Sequence, residues 1–203
     1  SGGLVNTRYV VSILDALRAC KDIKLDEKLL GMYETWIKEH PYDEGAGWGL
    51  VPWSQEEMPV TEEMLNAASE DDVALVIIGR TAGEDQDNTD KPGSYELTPT
   101  EEDLIRKVSS TFSRTAVILN VGNIIDMKWV KTFDPAAVLY AWQGGQEGGN
   151  GVCDVLTGCV NPCGKLTDTI AESIDDYPST ANFGDLKKNY YKEDIYVGYR
   201  YFE

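Results

Sequence analysis

VALVIIGRTAGEDQDN, residues 73–88, sets an unbroken apolar run against an acidic one. Val73 to Ile78 is short, rich in β-branched residues and bounded by Gly79. That is the pattern of a strand buried on both faces of a parallel sheet. The chain then turns polar, with Arg80, Glu84, Asp85, Asp87 and Asp90, and Gly83 to let the backbone bend. In open α/β sheets, functional groups collect on loops leaving the carboxyl ends of strands. This carboxylate cluster is therefore the first place to look for chemistry. A solvated acidic loop is the competing reading, and spacing alone favours it.

The pattern continues on both sides of this stretch. Thr98-Pro99-Thr100-Glu101 carries a capping-box Thr and Glu three apart with Pro at the first helical position, so a helix starts there. Leu104, Ile105, Val108 and Phe112 form its apolar face. Thr115 to Val121 predicts the next buried strand, Asp126 to Lys131 a short helix, and Ala136 to Trp142 a third strand. A glycine-rich loop (144–151) precedes a helix carrying Val152, Val155 and Leu156, and a last strand is expected near Leu166 to Ile170. Upstream, Thr7 to Cys20 and Asp26 to His40 have helical apolar spacing, and Thr61 to Ser69 predicts a short capped helix.

Strands alternating with helices over short connections imply an α/β fold, a three-layer α/β/α sandwich around a mostly parallel sheet. Between the second and third helices, Pro41 to Pro59 is an irregular loop with Trp48 and Trp53. Those indoles serve either as a stacking platform for a sugar ring or as pins holding the loop on its own domain. The tail from Tyr177 onward is irregular and aromatic, and is expected to dock as a strap on this domain or a neighbour.

Composition narrows the function classes. The chain has 203 residues, 42% of them hydrophobic, enough for one sizeable core. Eighteen Lys and Arg face 35 Asp and Glu, a net charge of −17. That balance repels phosphate backbones and anionic membranes, so neither nucleic acid nor membrane is expected as a partner. No apolar run approaches the ~18–20 residues that span a bilayer, and the opening residues carry no secretory leader, although the chain reads as a piece of a longer parent.

Cys153, Cys159 and Cys163 match no common zinc spacing, and Cys20 and the single histidine, His40, lie far off. Reduced thiols acting as small apolar residues are the simpler reading, which leans toward the cytoplasm. The glycine loop sits where phosphate-cradling loops occur. It lacks the Gly-Lys-Ser/Thr ending and the dinucleotide spacing, and Glu147 would repel a phosphate, so a tight turn for close packing is favoured.

Ala141–Asn150 (AWQGGQEGGN), Asp154–Gly158 (DVLTG), Asn161–Leu166 (NPCGKL) and Gly198–Phe202 (GYRYF) occur in order. Together they resemble the signature of family-3 glycoside hydrolases, mostly β-glucosidases and related exo-acting β-glycosidases. The signature belongs to their α/β sandwich domain, the partner of a catalytic barrel. The likeness covers Val73 to Glu203, with residues 1–72 as a more variable helical opening of the same single domain. Cys163 replaces a residue that is usually small in the family, a mild exchange.

The resemblance implies a retaining enzyme whose nucleophile is an Asp in the barrel, within a Ser-Asp-Trp type motif that this chain lacks. In many members the general acid/base is a Glu on a sandwich-domain loop resembling Gly-Glu-Gly-x-Asp-Arg. Glu84 stands at that position and Asp87 at the motif's Asp, while Asp85 and Asn88 depart from the common Gly and Arg. The expectation is Glu84 as the acid/base, with Arg80, Asp85 and Asp87 positioning the loop or touching sugar hydroxyls. The expected partner is a β-linked glucoside held against the barrel, with no metal or organic cofactor. The alternatives are a non-catalytic scaffold or sugar-binding module and, more distantly, a nucleotide-binding domain.

Overall fold

The computed structural model describes residues 8–47, 49–81, 83 and 86–202. Three parallel strands, β1 (Ala74–Gly79), β2 (Thr115–Asn120) and β3 (Ala137–Tyr140), pair in the order β1-β2-β3. Their register sets Ala74 opposite Thr115 and Ala116 opposite Ala137. Side chains alternate between the two faces, as the pleat requires. Val76, Ile78, Val117 and Leu119 join one core, and Leu75 joins a second, smaller cluster.

The larger core is closed by four helices: α2 (Glu27–Glu39), α3 (Glu62–Ala67), α4 (Pro99–Thr111) and α5 (Lys128–Phe133). Helix α4 brings Leu104, Ile105 and Val108, and α5 brings Trp129. Ile78, Ile105, Val117 and Leu119 are fully excluded from water, each such side chain contributing about 1.5–3 kcal/mol. On the other face α1 (Ile13–Ala19) packs against α6 (Gly148–Leu156) through Ala16, Leu17 and Cys153. Helices on both faces of a parallel sheet make the three-layer α/β/α sandwich.

The structure corrects several boundaries. Thr7, the expected start of the first helix, lies outside the described residues. Residues 8–12 are not helical and α1 begins at Ile13, because Ser12 caps it: the Ser12 hydroxyl and the Asp15 carboxylate bond each other's backbone amides. Those bonds from Ser12 hold the Asp15 carboxyl below its ordinary range. Strand β3 stops at Tyr140, and Trp142 takes a left-handed conformation with φ 57°, which no strand accommodates. Leu166 to Ile170 forms no strand. Leu166 is half exposed, and the intervening Thr167, Asp168 and Thr169 offer no apolar face to bury. The tail instead forms short turns at Ile174–Asp176 and Thr180–Asn182 and a final turn of helix, α7 (Tyr199–Phe202). The Tyr177 hydroxyl links it to the Thr169 carbonyl and Ala171 amide.

Helix α6 begins inside the glycine stretch, earlier than Val152, and the glycines explain its seat. A Cβ on Gly149 would lie 2.1 Å from the Ser12 carbonyl oxygen and 2.6 Å from that of Val11. The Gly149 amide donates to the Val11 carbonyl, and the Val11 amide donates to Gln146. The close approach is thus between helix α6 and the backbone entering α1, not between a helix and the sheet. Gly149→Ala is expected to cost about 1–3 kcal/mol through overpacking, read as a lower urea midpoint. Gly151→Ala, with open space around its Cβ, should instead gain about 0.4–1 kcal/mol.

Candidate functional site

The strand β1 delivers Arg80 into the protein interior. Its side chain is 2% exposed and that of its partner Glu101 5%. A buried guanidinium is tolerated only when its donors are paired and its charge is balanced, and here both conditions hold. Nη1 donates to Glu101 Oε1 at 2.6 Å and to the Gly79 carbonyl at 2.8 Å. Nη2 donates to Glu101 Oε2 at 2.9 Å and to the Glu96 carbonyl at 3.2 Å, and Nε donates to the Ser94 carbonyl at 3.1 Å. All five N–H groups are used.

Glu101 does double duty, since Oε2 also accepts the Thr98 amide in the α4 capping box. One ion pair therefore joins the end of β1, the start of α4 and the returning segment at 94–96. Sequence reading found Glu101 only as a helix cap. The structure leaves one face of β1 partly open, with Ile77 exposed, rather than burying both. An Arg that directly follows such a strand and turns inward still needs a carboxylate partner, and that requirement was the available signal.

The loop after Arg80 is fastened on both sides of positions 84 and 85. Upstream, the Thr81 amide donates to the Trp53 carbonyl at 2.8 Å, and the Thr81 hydroxyl to Pro52 at 2.8 Å. Gly83 lies against the Trp53 indole, so close that a Cβ there would sit 2.1 Å from Cη2. Downstream, the Gln86 side chain donates to the Val51 carbonyl at 2.9 Å, and Asn88 donates to Ile124 at 2.9 Å. Asn88 Oδ1 accepts the Ser94 hydroxyl at 2.7 Å, and Ser94 Oγ in turn accepts the Thr89 amide.

Glu84 and Asp85 lie outside the described residues, as does Trp48. Asp87 is exposed. Gln143, from the glycine-loop signature, donates to the Arg80 carbonyl at 3.0 Å and sits over Gly122, whose Cβ would approach its Oε1 to 3.0 Å. The loops following β1, β2 and β3 thus meet at one edge of the sheet, the carboxyl edge where ligands bind in open α/β folds.

Other groups singled out from the sequence lie elsewhere. Glu147 is exposed, accepts the Tyr9 hydroxyl and accepts Asn150 at 2.6 Å, tying the α6 start to the chain entering α1. His40 stacks on Trp36 at the end of α2, ring centroids 3.5 Å apart. The four cysteines are free thiols, and burial raises the Cys153 thiol above its ordinary value. Among the described residues no cluster of three or more His, Cys, Asp or Glu could hold a metal, and no helix is long and apolar enough to cross a membrane. Burial also lifts the phenols of Tyr95 and Tyr140, the latter to about 12. Neither is a base near neutral pH.

Fold and loop arrangement together define an α/β sandwich domain with its loops gathered at the carboxyl edge of the sheet. The chain belongs to the family described as the glycosyl hydrolase family 3 C-terminal domain, whose model matches residues 1–199. It is 53% identical over 204 residues to a β-glucosidase of Ruminococcus albus, covering 100% of this chain and 21% of that protein. The crystal structure of a β-glucosidase from Paenibacillus barengoltzii matches with a TM-score of 0.94 at 53% identity, over 100% of this chain and 22% of the other. β-Glucosidase 3B from Thermotoga neapolitana, in complex with glucose, matches with a TM-score of 0.79 at 34% identity, over 96% and 28%. The chain thus spans between 21% and 28% of the length of these relatives.

Next to the Arg80–Glu101 pair lies a second carboxyl, Glu57. Burial raises its pKa, and the Glu101 charge adds to the rise, against lowering by the Met58 amide and the Tyr33 hydroxyl. The folded state therefore holds this proton more tightly than the unfolded chain, whose Glu titrates near ~4.3. Its contribution to stability is greatest below that value and declines as pH rises through the folded pKa. Glu57→Gln, which keeps an acceptor for the Met58 amide, is expected to raise the thermal midpoint at pH 7, with the gain vanishing near about pH 4.

Proposed function

We propose that this chain is the sandwich domain of a multidomain retaining β-glucosidase and that Glu84 is its general acid/base. In this reading residues 1–203 form a single domain, and the nucleophilic carboxylate resides in a barrel domain elsewhere in the polypeptide. The substrate is a β-linked glucoside held between the two. The observation that carries the reading is the fastening of the loop on both sides of positions 84–85, by Thr81, Gln86 and Asn88. Membership of a family whose similar members are β-glucosidases supports it.

Retention needs two carboxyls about 5–5.5 Å apart, one attacking the anomeric carbon and the other protonating the leaving oxygen. After the glycosyl-enzyme forms, the second residue takes a proton from the attacking water. The acid must stay protonated near neutral pH, which burial and a neighbouring carboxylate promote. Docking against the barrel supplies both: it excludes water and brings the nucleophile's charge close. The nucleophile lies in the barrel, so the isolated domain is inactive. Asp87 positions the loop or contacts sugar hydroxyls. The mechanism requires no cofactor.

The test is Glu84→Ala in the full-length polypeptide, assayed with aryl β-glucosides of good and poor leaving groups. General acid catalysis is typically worth ~10²–10⁴-fold. The expected result is a loss of that size in kcat/KM for the poor leaving group, with the good one nearly spared. Small, equal losses on both would contradict the assignment.

A further inference from the structure

We infer that Trp53 is a positioning residue for the acid/base, acting through Gly83, and this rests on the assignment of Glu84 above. The connection is short. The Trp53 main chain accepts the Thr81 amide at 2.8 Å, and its ring edge, at Cη2 and Cζ3, meets Gly83. A Cβ on residue 83 would fall 2.1 Å and 2.7 Å from those two carbons. The Gly83 carbonyl then accepts the Gln86 amide at 3.0 Å. Gly83 is thus held by the indole and by the far side of the loop at once, immediately before residue 84.

Only glycine brings the backbone this near the ring without a clash, although its φ is not in the left-handed region. Trp53 in turn rests on a segment tied to the same loop. Val51 accepts the Gln86 side chain, Pro52 accepts the Thr81 hydroxyl, and Ser54 abuts Gly93, whose Cβ would lie 2.6 Å from Ser54 Oγ. Residues 51–54 therefore follow residues 81–93 at four points. The segment belongs to the irregular loop between α2 and α3, far from residue 84 in sequence.

The consequence concerns geometry rather than affinity. An acid is effective only within hydrogen-bond reach of the leaving oxygen, and a displacement of ~1 Å costs up to ~10²-fold. A loosened Trp53 contact should penalise proton delivery and leave sugar binding unchanged.

The experiment uses the full-length polypeptide with Trp53→Ala, Trp53→Phe, Gly83→Ala and Glu84→Ala, each on good and poor aryl leaving groups. Trp53→Ala is expected to lower kcat/KM by roughly 10- to 100-fold for the poor leaving group and by less than about threefold for the good one. Trp53→Phe should recover most of the loss. Gly83→Ala, which disturbs the same contact while leaving Trp53 in place, should reproduce the leaving-group-dependent loss even where Trp53→Ala fails to fold. Equal losses on both substrates with a raised KM would make Trp53 a sugar contact and overturn the inference, as would unchanged kinetics in both Trp53→Ala and Gly83→Ala. A uniform effect of Glu84→Ala would instead overturn the acid/base assignment, and the inference with it. A leaving-group-dependent effect of Glu84→Ala with none from the other variants overturns the positioning role alone.

Discussion

A single buried cation organises the carboxyl edge of this sheet. Arg80 leaves β1 pointing inward, and its five donors reach one carboxylate and three main-chain carbonyls spread over residues 79–101. Removing one member of such a pair strands a buried charge at a cost of about 3–5 kcal/mol, although the intact pair adds little net stability over apolar packing. Its value lies in direction. A guanidinium is planar and its donors diverge at fixed angles. The three carbonyls it binds therefore cannot move independently, and a loop that would otherwise wander is returned to the same place.

The fastening has a second layer, from outside the sheet. The irregular loop before α3 lies along the loop after β1, with carbonyls of Val51, Pro52 and Trp53 accepting bonds from Gln86 and Thr81. All three acceptors are main-chain carbonyls, whose positions depend on backbone path and not on side-chain identity. In the proposed reading, this fastening gives the acid/base a rigid foundation, while water exclusion is left to the barrel domain.

Much of the fold was legible because local and global signals agreed. The apolar run expected at 73–78, the capping box Thr98–Glu101 and the helix starts at Asp26 and Thr61 each settled within a residue or two of the expected place. The errors came where a short apolar fragment had no face to bury, as at Leu166–Ile170, or where a cap overruled periodicity, as at Ser12. The candidate site was half legible. Arg80, Asp87 and the loop itself stand out in the sequence. The Glu101 carboxylate and the Trp53–Gly83 contact do not, because both link residues more than twenty positions apart, and no local pattern encodes them. The glycine loop 144–151 was read as a turn for close packing, and Gly149 does pack closely, but its neighbour is a helix entry that only the three-dimensional arrangement reveals.

The central claim is that the Arg80 network anchors the loop at the sheet edge, with Thr81, Gln86 and Asn88 adding bonds of their own. Hydrogen–deuterium exchange on the full-length polypeptide, with Arg80 and with Arg80→Lys, tests it most directly. Lysine keeps the charge and loses the fork, so two or more bonds worth about 0.5–1.5 kcal/mol each disappear. The amides of Thr81, Gln86, Thr89 and Tyr95, each bonded within the loop or to its anchors, should then exchange faster by on the order of tenfold or more. Those of Ile78 and Val117 in the sheet should be unchanged. Equal protection of the loop amides in both proteins would contradict the account.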